Sequence, residues 1–141
     1  MLNLPELRGK YREHLENFIR NVLKRPDVVG ILLFGSAAKG REKPYPQSDI
    51  DVLVIAENLH SNPAKRKLEL IGYKKEAEAV EDIWLTPEEL LNGVEGGWGT
   101  LLDAISDGKV IYDKTGIFKQ AKEIIARKHR RIGRIWQLHA K

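Results

Sequence analysis

The sequence predicts an α+β fold built on an α/β-type mixed sheet of four strands flanked by helices. Three observations carry that expectation. Two short, continuous apolar runs, Val28 to Phe34 and Val52 to Ala56, have the β-branched content of buried strands. The strand-like segments are separated by stretches with helical periodicity or helix-start chemistry. The length, 141 residues, suits a single core of ordinary size.

In chain order, Glu6 to Lys24 places Leu7, Tyr11, Leu15, Phe18, Ile19, Val22 and Leu23 at three- and four-residue steps, which predicts an amphipathic N-terminal helix. Pro26-Asp27 ends it, and the first strand, Val28 to Phe34, runs directly into Gly35-Ser36. A polar stretch from Ala37 to Ser48, with Gly40, Pro44 and Pro46, reads as a short helix followed by a loop. Asp49 to Ile55 is the second strand. Ser61-Asn62-Pro63 opens a helix that runs to about Ile71-Gly72, since a capping side chain is followed by proline at the first helical position. A third strand covers Ala79 to Leu85, and Thr86-Pro87-Glu88-Glu89 is a second helix start with acids where the dipole favours them. Gly93 to Gly99 reads as a loose glycine-rich loop, Thr100 to Ser106 as a short helix, and Lys109 to Tyr112 as a fourth strand. A basic helix is expected to finish the chain. Residues 1–113 are thus read as one core domain and 114–141 as a basic helical extension.

Composition removes several classes of function. Cysteine is absent, which excludes disulfide frameworks, thiolate metal sites and cysteine nucleophiles. The apolar runs are too short to span a bilayer, and the first residues lack the pattern of a secretory leader, so a soluble cytoplasmic protein is the expectation. Net charge is +4 but uneven. From Lys114 to Lys141 nine Lys or Arg face the single acid Glu123, leaving the extension at +8 and the rest of the chain at −4. An acidic body suits cation recruitment and a basic tail suits an anionic partner, although a solvated helix face accounts equally for the latter.

The chemistry concentrates around two strand ends. Asp49 and Asp51 are two apart on a strand, so both carboxylates project from one face. Two like charges held together are unfavourable unless a cation lies between them, and carboxylate oxygens are ligands that Mg²⁺ selects. Gly35 permits a tight turn after the first strand, and Ser36 offers a hydroxyl and N–H groups at a helix start, an arrangement suited to phosphate oxygens. Alone, the aspartates could be solvated acids and Ser36 an ordinary N-cap. Together they describe a nucleoside triphosphate with its metal.

These residues carry a resemblance. Leu33-Phe34-Gly35-Ser36-Ala37-Ala38-Lys39-Gly40, followed by Ser48-Asp49-Ile50-Asp51-Val52-Leu53-Val54, resembles the DNA polymerase beta-like nucleotidyltransferase superfamily, and within it the minimal nucleotidyltransferases. The resemblance extends to about Asp113 and implies the nucleotidyltransferase fold. It implies triphosphate binding by Gly35 and Ser36, metal binding by Asp49 and Asp51, and a third carboxylate on the next strand. Asp82, followed by Ile83-Trp84-Leu85, matches the family's acid-then-apolar pattern; its neighbour Glu81, on the opposite face, is the alternative. Lys39 stands where the minimal enzymes often carry arginine, keeping the charge but losing the bidentate geometry, and Arg41 is a second candidate for phosphate contact. The twelve residues from Ala37 to Ser48 make this loop somewhat longer than usual. The implied reaction transfers NMP, with AMP preferred, from an NTP, with ATP preferred, to an acceptor hydroxyl, assisted by Mg²⁺ or by Mn²⁺, which fits the same oxygen ligands.

The same resemblance implies a protein partner, since members of the minimal class act as antitoxins that modify a helical HEPN-type toxin; a homodimer is the other way to complete the site. Two further functions compete: a non-enzymatic binding module of the same fold, and an RNA-directed transferase whose basic tail, with Arg127, Lys128, Arg130, Arg131 and Arg134, grips nucleic acid. His14, His60, His129 and His139 lie at no metal-ligand spacing and read as surface or helix-face residues, and Trp84 and Trp98 as apolar anchors.

Overall fold

The computed structural model describes residues 2–139. Helix α1 spans Gly9–Val22 and buries Tyr11, Leu15, Phe18, Ile19 and Val22, the face that the three- and four-residue spacing marks. Strand β1, Val28–Phe34, follows and leads into a short 3-10 turn, Ser36–Lys39. Strand β2 is Ile50–Ala56, helix α2 is Pro63–Leu70 and strand β3 is Val80–Leu85. Then come α3, Pro87–Glu95, α4, Gly99–Asp107, strand β4, Lys109–Asp113, and α5, Ile117–Lys128. The four strands form one sheet in the order β3-β2-β1-β4. Strand β1 is antiparallel to β2 and β4, whereas β2 and β3 are parallel because α2 carries the chain back across the sheet. The mixed four-stranded sheet is therefore as expected.

Both faces of the central strands are covered, which explains why β1 and β2 read as unbroken apolar runs. On one face Ile31, Leu33, Val52 and Val54 pack with Phe18, Val22 and Trp84. On the other, Leu32, Leu53 and Ile55 pack with Leu90 of α3, Leu102 and Ile105 of α4, and Phe118 and Ile125 of α5. Gly30 makes the second layer possible, since a Cβ there would lie 2.8 Å from the Phe118 ring.

Two expectations are corrected. The basic helix does not continue through the tail: α5 stops at Lys128, and the chain forms a hairpin of β5, His129–Ile132, and β6, Ile135–Leu138. The stop has a tertiary cause and a turn to match it. His129 takes an extended conformation, buries its ring and donates from Nε2 to the Val94 carbonyl at 2.7 Å, and Gly133, at φ +61°, supplies the left-handed residue a tight hairpin needs. His129 is accordingly a buried structural residue rather than a surface one. Lys141 of the basic extension lies outside the described residues. The glycine-rich stretch is likewise not a loose loop: Gly93 sits inside α3, where Leu101 and Trp98 pack against it, and only Gly96 to Trp98 separate α3 from α4.

Candidate functional site

The register of the sheet assembles the site. Phe34 pairs with Asp51 across the β1–β2 ladder, so the turn after β1 lies beside the start of β2. Gly35 sits at φ +74°, in the left-handed region, and a Cβ added there would fall 2.2 Å from Asp51 Oδ2. Glycine is demanded twice, by the backbone conformation and by the carboxylate pressed against it. The 3-10 turn that follows leaves the Ser36 and Ala37 N–H groups without intrahelical partners, and the Arg41 N–H closes the loop on the Ser36 carbonyl at 2.9 Å.

Tyr11 secures the approach to Asp49. Its hydroxyl donates to the Lys43 carbonyl at 2.7 Å and accepts from the Ser48 N–H at 3.0 Å, while the Lys43 N–H donates to Ser48 Oγ at 2.8 Å. The long loop between Lys39 and Asp49 is thereby stapled to α1 at its far end. Asp49 is exposed and Asp51 partly buried.

The parallel β2–β3 register decides between the two acids of β3. Asp51 pairs with Glu81, whereas Asp82 pairs with Val52. Paired residues on neighbouring strands share a face, so Glu81 joins Asp51. Asp82, the residue expected as third carboxylate, belongs to the opposite face, with Val80 and Trp84. Its Oδ2 accepts from Trp84 Nε1 at 2.7 Å and Lys74 Nζ lies 4.0 Å away. The register thus puts Glu81, the alternative, on the face of Asp51, and Asp82, the residue expected as third carboxylate, on the other. The acid-then-apolar pattern, which Asp82 fits, says nothing of which face a residue takes; only the strand partner distinguishes the faces.

Electrostatics mark Asp51. Burial, then the charges of Glu81 and Asp49, push its carboxyl up to about 6. Such a strained set of oxygen donors suits a hard divalent cation, and Mg²⁺ in particular is held by one or two carboxylates together with substrate phosphates rather than by an all-protein cage. Among the described residues no group of three or more His, Asp or Glu side chains is gathered closely enough to hold a metal ion by itself.

A cleft of about 250 Å³ opens between this cluster and α4, lined by Gly35, Lys39, Asp51, Thr100, Asp103 and Asp107. Lys39 Nζ lies 3.7 Å from Asp107 Oδ2, and Arg41 is exposed. The acids of α4 escaped the reading of the sequence, yet Thr100, Asp103 and Asp107 recur at three- and four-residue steps opposite Leu101, Leu102 and Ile105, a polar stripe that the spacing contains. Arg131 of the hairpin binds Asp107 through two bonds of 3.0 and 3.1 Å and Asp103 through one of 3.0 Å. The Arg131 hydrogen bond, opposed by burial, holds the Asp107 carboxyl below its usual range. A larger cavity, about 560 Å³, lies behind β3 on the Asp82 side. Its lining pairs Arg66 with Glu89 at 2.8 Å and Lys74 with Asp82 at 4.0 Å, and Lys67 adds a further positive charge. Trp84 is the buried anchor expected, packed on Tyr73 and Phe18, whereas Trp98 is 45 % exposed.

An N-terminal helix, a mixed sheet and a glycine turn set against a strand carboxylate define a nucleotide-transfer class of domain. A family model described as nucleotidyltransferase domain matches residues 15–105. The chain belongs to that family. Its fold is also similar to solved structures. One, a toxin–antitoxin complex with AMP-PNP, shares 20% identity over 79% of this chain and 83% of that one, with a TM-score of 0.53. Another, a variant of the toxin–antitoxin pair MntA–HpeT, shares 20% identity over 86% and 85%, with a TM-score of 0.53. Among curated proteins none matches the chain.

Proposed function

We propose that this chain transfers a nucleoside monophosphate, AMP by preference, from a magnesium-bound triphosphate to an acceptor hydroxyl, releasing pyrophosphate. The observation that carries the reading is the contact of Gly35 with Asp51: a turn with free N–H groups and a carboxylate with a raised pKa meet at one point. In this reading the Ser36 and Ala37 N–H groups and the Ser36 hydroxyl hold triphosphate oxygens, and Lys39 adds a positive charge beside them. Asp49, Asp51 and Glu81 are the residues to hold Mg²⁺, or Mn²⁺, which when bound would neutralise phosphate charge and acidify the acceptor hydroxyl. Glu81, exposed at the rim, is also placed to receive the acceptor's proton. Asp82 has no part, being committed to Trp84.

The acceptor belongs to a partner. The family resemblance together with the toxin–antitoxin assemblies of the two structural neighbours supports a HEPN-type toxin in that role. Such an antitoxin acts in the cytoplasm; among the described residues no helix is long and apolar enough to cross a membrane.

Calorimetric titration with ATP, GTP, CTP and UTP, with Mg²⁺ and with chelator, tests the reading. Magnesium-dependent binding, lost in Asp51→Asn and Asp49→Asn, is expected. Transfer to a supplied HEPN-type protein should fall by about 10²-fold or more in Glu81→Gln and stay within about two-fold of the parent in Asp82→Asn. Nucleotide binding that ignores Mg²⁺ and survives Asp51→Asn would replace the enzyme with a binding module.

A further inference from the structure

The C-terminal hairpin, outside the region that the family model matches, sets a residue against two acids that line the cleft. Arg131 and Lys39 converge on one carboxylate oxygen. Arg131 Nη2 donates to Asp107 Oδ2 at 3.1 Å, and Lys39 Nζ lies 3.7 Å from the same Oδ2. Arg131 Nη1 takes the other oxygen, Oδ1, at 3.0 Å, and Nη2 also reaches Asp103 Oδ1 at 3.0 Å. The guanidinium is itself held in place: its Cζ lies 4.6 Å from the centre of the Trp136 ring, whose Nε1 donates to Asp103 Oδ1 at 2.9 Å. A planar donor fork stacked on an aromatic ring is the geometry in which arginine outperforms lysine as a fixed counter-charge.

We propose that Arg131 is a positioning residue for the nucleotide, occupying Asp107 and Asp103 so that Lys39 is free to turn from Asp107 to the phosphates. The inference rests on the function proposed above. Asp107 and Asp103 lie on the wall of the same cleft as Asp51, where unpaired carboxylates would repel a polyanion and capture Lys39, which lines the cleft with them. Arg131 satisfies both. The second bond of its fork falls on the oxygen that Lys39 would otherwise occupy, so the Lys39 pair is left long and exposed, the weak kind that a phosphate displaces. The hairpin thereby links the extension to nucleotide affinity without touching the nucleotide.

Two measurements on the full-length protein test this. In titrations with Mg-ATP, Arg131→Gln should bind about five-fold more weakly than the parent, and Arg131→Gln/Asp107→Asn should return to within about two-fold of it. A merely structural hairpin contact predicts the reverse, since the second substitution removes more of the same contact. Competitive acetylation of Lys39, read by mass spectrometry without nucleotide, should slow in Arg131→Gln, as the amine is drawn onto Asp107, and accelerate in the double variant. Parent-like affinity in Arg131→Gln, failed rescue, or unchanged Lys39 reactivity would each overturn the proposal. A parent that binds no nucleotide under any condition would defeat the proposed function, while the acetylation rates still judge the Lys39 network separately.

Discussion

Gly35 and Asp51 constrain each other. Alanine at position 35 would meet both a φ of +74° and the Asp51 carboxylate 2.2 Å from its Cβ, so either the turn opens or Asp51 swings away. Gly35→Ala should lose about 1–2 kcal/mol of stability and most Mg-nucleotide affinity, measured by urea unfolding and calorimetry. Asp51 makes a second prediction through pH. Its folded-state pKa of about 6 stands above the ordinary 3.8, so the folded protein binds a proton that the unfolded chain releases between those values. The associated stability is fully present below about 3.8 and is lost as pH rises through about 6. Asp51→Asn should therefore stabilise the metal-free protein at about pH 7.5, by about 1 kcal/mol once solvent screening is allowed for, and change little near about pH 4. Unfolding curves at the two pH values check the sign. At this scale Gly35, Ser36, Asp49 and Asp51 were legible as a constellation, because a strand's two-residue alternation and a glycine's freedom are local facts. The choice of Glu81 over Asp82 was not, because it depends on which residue of β2 each one pairs with.

Helix starts carry their own chemistry. Asn62 accepts the Lys65 N–H at 3.1 Å ahead of Pro63, and Thr86 and Glu89 form a reciprocal box of 3.1 and 2.9 Å ahead of α3. Both starts were readable, since in each a capping side chain is followed directly by proline, with acids in the first turn of α3 as well. Glu89 also holds Arg66 through two bonds, at 2.8 and 3.0 Å, tying α3 to α2. Thr86→Ala should lower stability by about 1 kcal/mol in chemical denaturation and leave nucleotide affinity unchanged, because the cap lies at the end of β3 away from Glu81. Helix ends are less self-contained. Ile132, Ile135 and Trp136 fit a helical stripe as readily as a hairpin, and the choice fell to the burial of His129 against Val94 and to the left-handed Gly133.

Across the whole molecule stability is unevenly distributed. The sheet lies between two apolar layers, and Leu53, fully buried at the centre of β2, should cost about 2–5 kcal/mol when truncated to alanine, a large part of the total for a domain this size. The hairpin rests on charge, Arg131 with Asp103 and Asp107, beside the pair that Lys128 at the end of α5 makes with Glu95. Its amides should exchange with deuterium well before those of β1 and β2, and raising the salt should speed them selectively, since exposed ion pairs are screened while apolar packing is not. Uniform protection across hairpin and sheet would show instead that apolar contacts such as Trp136 hold it. By itself the sequence determined the strands of the four-stranded sheet, the helices between them, their order, and the acids and glycine proposed to carry the chemistry, because periodicity, capping and turn geometry act over a few residues. The tertiary structure decided which carboxylate joins Asp51, that α4 walls the cleft, and that the basic tail folds back onto that wall. Those outcomes depend on strand register and on contacts between residues dozens of positions apart, where local spacing carries no information.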